Sequence, residues 1–178
     1  MPDAASGLYD LLVKKRPAIL KQWFKAIIET YPPDASAFLG QQTDRFANPV
    51  GAIIQESIGV LYDSLAHDEP ESSSCLLALD DVVRLRAIQD FDPGRAVGFI
   101  FQLKKLVRRE LKDCLSQPML MEELLAFESR VDSLILAAFN NYMSCREKVY
   151  ELKVSEIQRS VRQLLAQASG ENEREAKA

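Results

Sequence analysis

The chain has 178 residues, 47% of them hydrophobic and 27% charged, with a formal net charge of −4. That is the make-up of one globular domain with a real core. The negative balance excludes bulk attraction to nucleic acid or anionic lipid, and the 7 glycines are too few for a many-turned β protein.

Leu8, Leu11, Leu12, Ile19, Leu20, Trp23, Phe24, Ile27 and Ile28 recur at three- and four-residue spacing, the period of an amphipathic helix. Pro17 removes a donor inside that pattern and is expected to kink the helix or to start a second one. Tyr31-Pro32-Pro33 ends the segment, and Asp34 is placed to cap a short helix from Ala35 to Leu39. After a polar stretch, Asn48-Pro49 reads as an N-cap followed by proline at the first helical position. Val50, Ile53, Ile54, Ile58, Leu61, Tyr62 and Leu65 form the next apolar stripe, ending near His67. The acidic, serine-rich run 68–74 reads as a surface loop. Cys75 to Gln89 is predicted helical, and Asp92-Pro93 repeats the cap-then-proline device for a helix expected to run to Leu115.

Between Pro118 and Ala168 no further proline and no glycine occurs. Those 51 residues would make a helix of roughly 75 Å, about twice the diameter of the domain itself. Its first half is broadly apolar and belongs in the core. Beyond Tyr142 the apolar residues thin to Met143, Tyr150, Val154, Ile157, Val161, Leu164 and Ala168, an a/d seam of nearly three heptads. The seam either pairs with a second helix or folds back onto its own domain. Residues 1–168 therefore read as one helical domain whose C-terminal signalling helix starts at about Pro118. Residues 169–178 read as a disordered tail.

No catalytic constellation emerges. The single histidine, His67, adjoins acidic residues at a helix end, which suits neither a nucleophile's base nor a haem ligand. Three distant cysteines without a CxxC pair suit a reducing compartment and no zinc site. No glycine-rich phosphate loop, dense acidic box or run of about 20 apolar residues occurs, so neither cofactor, metal nor membrane insertion is expected. With no leader pattern, the expected location is the cytoplasm. Asp80 and Asp81 stand at helical spacing from Arg84. They form ordinary surface ion pairs, or they open a polar pocket toward the turn 89–93. Asp44-Arg45 with Asn48 lies at another helix start, where unpaired N–H groups suit an anion. Arg45, Asn48, Asp81, Arg84 and Arg86 are accordingly the candidate ligand-binding residues. Tyr150, Val154, Ile157, Val161 and Leu164 are the candidate dimer contacts.

Three strings together resemble a known family: Asp44-Arg45-Phe46-Ala47-Asn48-Pro49-Val50-Gly51; Leu79-Asp80-Asp81-Val82-Val83-Arg84-Leu85-Arg86-Ala87-Ile88-Gln89-Asp90-Phe91; and Tyr142-Met143-Ser144-Cys145-Arg146-Glu147-Lys148-Val149-Tyr150. The chain is similar, from about Leu8 to Ile157, to the N-terminal domain of RsbRD-type co-antagonist proteins, relatives of the RsbR stressosome components. The resemblance implies an all-α, globin-like sensory bundle that dimerises and binds no haem. In that family the last helix leads through a linker to a STAS domain. This sequence ends at Ala178 and is expected to be a stand-alone version. Stand-alone versions look common in anaerobic, sulfate-reducing bacteria, which implies a protein partner in signalling or energy metabolism. The expectation is a non-catalytic regulatory homodimer that relays binding of a ligand or partner through its last helix. The alternative is a protein that binds an anion or metabolite.

Overall fold

The structure, a computed structural model, describes the backbone of residues 7–41 and 46–175 and the side chains of residues 7–40 and 46–165. Its elements in chain order are α1 (Leu8–Ile28), α2 (Pro33–Gln41), α3 (Pro49–Ala66), α4 (Ser73–Ile88), α5 (Pro93–Leu111) and α6 (Pro118–Glu175). Among the described residues there is no strand, so the all-helical expectation holds. The five long helices touch in the closed order α1–α3–α4–α6–α5 and back to α1, and the short α2 rests on α1 and α3.

The predicted boundaries follow from local chemistry. The side chain of Asn48 accepts from Gly51 N at 2.8 Å and that of Asp92 from Arg95 N at 2.9 Å, each with proline at the first helical position. Pro17 starts no second helix; α1 is continuous through it. The carbonyl that its missing N–H leaves free belongs to Val13, an exposed residue. α5 stops at Leu111 rather than Leu115, and Cys114 and Leu115 still pack against the core from the turn that follows. α6 is helical through Glu175. Gly170 alone does not stop it: one interior glycine costs about 1 kcal/mol relative to alanine.

One hydrophobic core joins all six helices. Trp23 lies at its centre, fully buried, stacked on Phe99 at 6.1 Å and donating its indole N–H to the Phe99 carbonyl at 2.8 Å. A buried indole donor without such a partner would lose its desolvation energy uncompensated. α6 closes the bundle. Glu123 accepts from Leu8 N at 2.6 Å, supplying the N-terminal cap that Gly7 has no side chain to give α1. Lys104 pairs with Asp132 and Arg108 with Glu128, which sets α5 and α6 antiparallel.

α6 has two regimes. Through Tyr142 its inner face is core. From Arg146 onward it leaves the other helices, and Tyr150, Val154, Ile157, Val161 and Leu164 are all exposed. The described part of the seam therefore does not fold back on its own domain. At 58 residues the helix is roughly 87 Å long.

Candidate functional site

The clearest departure from ordinary core packing is Arg86, which is 0% exposed. It falls on the buried stripe of α4 with Leu79, Val82, Val83 and Ala87. Its guanidinium is surrounded by the rings of Tyr31, Phe91 and Phe99, with centroids at 5.6, 4.9 and 5.1 Å. Arg86 Nη1 donates to the Arg95 carbonyl at 2.7 Å, and Nη2 donates to Thr30 Oγ1 at 3.0 Å and to the Ile27 carbonyl at 3.4 Å. Among the described residues no carboxylate pairs with it, and its Nε has no partner. The charge is compensated by ring faces and by the negative end of α1. Burial still dominates and holds the Arg86 guanidinium below its usual pKa. Arg95 donates to the Thr30 carbonyl and also lies over the Phe91 ring. Two arginines thus close the C-terminus of α1 and tie it to α4 and α5.

The cage continues directly into the α4–α5 turn. Phe91 N donates to the Arg86 carbonyl at 3.2 Å and Asp90 N to the Ala87 carbonyl at 3.4 Å. These are the paired bonds of a Schellman end, and they put Asp90 at φ 63°. α6 grips this turn from outside. The Tyr142 hydroxyl donates to the Phe91 carbonyl. Arg146 Nη1 donates to the Ala87 carbonyl at 3.1 Å and to the Asp90 carboxylate, and Nη2 to the Tyr150 hydroxyl at 3.0 Å. The Arg146 guanidinium holds the Asp90 carboxyl below the usual carboxylate range. Asn141 adds a hydrogen bond to Asp80 at 3.1 Å. The second and third strings singled out in the sequence therefore meet, at the point where α6 leaves the bundle.

Residues 17–157 match the family described as the RsbT co-antagonist protein rsbRD N-terminal domain. The chain belongs to this family. Membership points to a regulatory or sensory role related to the stressosome, in a family not known for catalysis. The matched span contains the Arg86 cage, the Asp90 turn, Arg146 and the seam as far as Ile157. An uncharacterised protein of Archaeoglobus fulgidus is 29% identical over 109 residues, covering 60% of this chain and 68% of that relative. No solved structure matches.

The described candidate ligand residues of this family member, Asn48, Asp81, Arg84 and Arg86, are not assembled as one pocket. Arg45 lies outside the described residues. Asn48 is 2% exposed and is a structural cap; its amide also donates to the Leu39 carbonyl at 3.0 Å, joining α2 to α3. Asp81 is exposed. Arg84 pairs with Asp80 at 2.7 Å, the ordinary i,i+4 surface pair. Arg86 turns the other way, into the core. Sequence reasoning missed Thr30, Tyr31, Phe91, Arg95 and Phe99 as its surroundings, and Arg146 as the partner of the adjoining turn. The available signal was the phase of Arg86, which follows Val82 and Val83 at helical spacing and so had to point inward.

His67 caps α3. Its Nδ1 contacts the Asp63 carbonyl at 2.7 Å, which fixes the proton there, and Nε2 then accepts from the Tyr9 hydroxyl at 2.9 Å. A surface cleft of about 730 Å³ opens between α1 and α3, lined by Leu20, Lys21, Phe24, Gln55 and the Arg16–Asp63 pair among others. Among the described residues no helix is long and apolar enough to cross a membrane, and no cluster of His, Cys, Asp and Glu has metal-binding geometry.

Proposed function

We propose that this chain is a non-catalytic regulatory module that dimerises along α6 and passes the state of its helical domain through that helix. The supporting observation is the exposed apolar row on α6. Tyr150, Val154, Ile157, Val161 and Leu164 project from a helix that has left its own core. The row also extends backward: Leu136, Met143, Tyr150, Ile157 and Leu164 stand at steps of seven and are all exposed, from 41% for Met143 to 67% for Leu136. A strict seven-residue repeat is what a second helix of the same pitch requires. Leu136 lies beside the body of the domain, so a pair formed along this row brings the two domains together as well as their exit helices.

Light scattering after size exclusion tests the reading. The full chain should run as a dimer, and Ile157→Glu with Val161→Glu should run as a monomer of unchanged helicity. Truncation after Cys145 should also weaken the dimer; a truncated chain that stays fully dimeric would remove the coiled-coil argument.

A second reading, binding of an anion or metabolite, is favoured by the cleft between α1 and α3, whose volume lies within the range of small-molecule sites. A thermal-shift screen of metabolites against wild type and Lys21→Ala separates the two. Stabilisation of wild type that the variant loses would add a ligand to the sensory reading.

A further inference from the structure

α6 grips the rest of the bundle by two matching devices. Asp68 follows the last turn of α3 and Asp90 the last turn of α4, and both adopt positive φ, 62° and 63°. Glu69 N donates to the Ser64 carbonyl at 2.8 Å, the same six-residue closure that Phe91 N makes at the end of α4. Glycine is the usual residue there, because a Cβ makes left-handed backbone unfavourable by roughly 1–2 kcal/mol. Here both positions carry aspartate, and each aspartate meets an arginine of α6. Arg130 pairs with Asp68 at 3.1 Å and donates to the Leu65 carbonyl at 3.1 Å. Arg146 pairs with Asp90 and donates to the Ala87 carbonyl at 3.1 Å. In each case one guanidinium takes both the carboxylate of the strained residue and a carbonyl from the helix end it terminates.

The two devices differ in what lies beyond them. Arg130 sits within the body of the bundle, next to the buried Phe127 and Val131. Arg146 sits at the neck, its side chain 14% exposed, and reaches forward to Tyr150, which is also the first seam residue past the neck. We infer that the Asp90–Arg146–Tyr150 clasp is the element that couples the caged α4–α5 turn to the emerging helix, by fixing where α6 leaves the domain and how Tyr150 is presented to a partner helix. This rests on the signalling-helix reading above. The chain of contacts is continuous: the Phe91 ring covers Arg86, the Phe91 carbonyl accepts from Tyr142, and Asp90, one residue earlier, holds Arg146. A change at the α1 terminus or in the cage displaces this turn, and the turn is what holds the neck. Arg130 serves as the fixed point above it.

The test is hydrogen exchange read by mass spectrometry on the full chain, comparing wild type with Asp90→Gly, Asp68→Gly and Arg146→Gln. Glycine suits positive φ, so both glycine variants keep the turn while deleting its carboxylate. The expected result is about tenfold faster exchange over residues 143–153 in Asp90→Gly and Arg146→Gln, the scale of one lost charge-assisted hydrogen bond. Exchange over residues 127–138 should be unchanged in both. Asp68→Gly should leave the neck as in wild type. Neck exchange within twofold of wild type in Asp90→Gly, or an equal rise in Asp68→Gly, would overturn the assignment. Light scattering on the same samples keeps the two ideas apart: a monomeric wild type defeats the dimer reading, whereas the clasp stands or falls on the exchange pattern in either state.

Discussion

Replacing Arg86 measures how much the caged guanidinium holds together. Alanine removes a fully buried side chain from beneath Tyr31, Phe91 and Phe99 and leaves the Arg95 carbonyl without its donor at 2.7 Å. Truncating a large buried side chain costs about 3–5 kcal/mol. The stranded acceptor adds about 1–3 kcal/mol, and release of a charge that burial disfavours returns a similar amount. The net expectation is about 3–5 kcal/mol, or roughly 6–20 °C in Tm for a chain of this length. Methionine refills the volume and abolishes the charge, so Arg86→Met should lose only about 1–3 kcal/mol. Lysine keeps the charge but has no planar fork to reach Arg95 O, Thr30 Oγ1 and Ile27 O together, so Arg86→Lys should fall between the two. Urea and thermal unfolding followed by far-ultraviolet circular dichroism give all three values. An alanine variant within about 1 kcal/mol of wild type would refute the claim that this side chain knits α1, α4 and α5. A lysine variant equal to wild type would refute the part assigned to the fork.

Three further outcomes follow from the same geometry. Asp90 and Glu110 both have lowered folded-state pKa values, set first by hydrogen bonds from Arg146 and from Gln22 respectively. Their contribution is complete above the unfolded carboxylate range of about 4 and is lost as pH falls through the folded values. Acid titration should therefore destabilise wild type more steeply than Asp90→Gly; parallel curves would contradict the Asp90 share. Burial pushes the Cys75 thiol up, whereas Cys114 and Cys145 are only partly buried. Alkylation of the native chain, mapped by peptide mass, should label Cys114 and Cys145 well before Cys75, and equal rates would show that α4 opens freely. A Cβ on Gly51 would lie 2.2 Å from Asn48 Nδ2 and 2.7 Å from its Cγ. Gly51→Ala should thus dislodge the α3 cap and cost about 1–2 kcal/mol, measured by thermal unfolding; an unchanged Tm would mean that the cap tolerates the intrusion.

The helical architecture was legible because its signals are local. Cap-and-proline pairs at Asn48-Pro49 and Asp92-Pro93, and apolar residues at helical spacing, fix element type before any tertiary contact is known. The long helix was legible for the same reason, since nothing between Pro118 and Ala168 could stop it. The site was read differently. Arginines near an aspartate pair suggested a surface pocket, yet Arg84 and Arg86, two residues apart, point to opposite sides of α4. One makes an exposed i,i+4 pair and the other enters the core. What surrounds Arg86 comes from Thr30 and Tyr31 and from Phe91, Arg95 and Phe99, and only the packing of α1 against α5 and α4 against α5 brings these together. Such long-range juxtaposition has no periodic trace in the sequence. Asn48 was found correctly as a cap, and that structural duty already accounts for its burial.

The positions where the chain breaks a local rule either hold α6 directly, as Asp68 and Asp90 do, or pack against the turn that holds it, as Arg86 does. A helix end with left-handed backbone prefers glycine, an exposed ion pair contributes little, and a buried arginine prefers a carboxylate. Asp68 and Asp90 go against the first preference, and Arg86 against the last. None of the three is needed for a helical bundle to form. Glycine would terminate α3 and α4 at lower cost, and a leucine or methionine would fill the cage without desolvating a charge. What the aspartates add is a handle for an arginine on another helix, and what Arg86 adds is a polar attachment between that turn and the end of α1. Sites where local preference is overridden are where a fold carries something besides its own stability. Here Asp90 and, one contact behind it, Arg86 meet at the neck of α6, the point on which the relay proposed above would act, whereas Asp68 holds the helix within the body of the bundle.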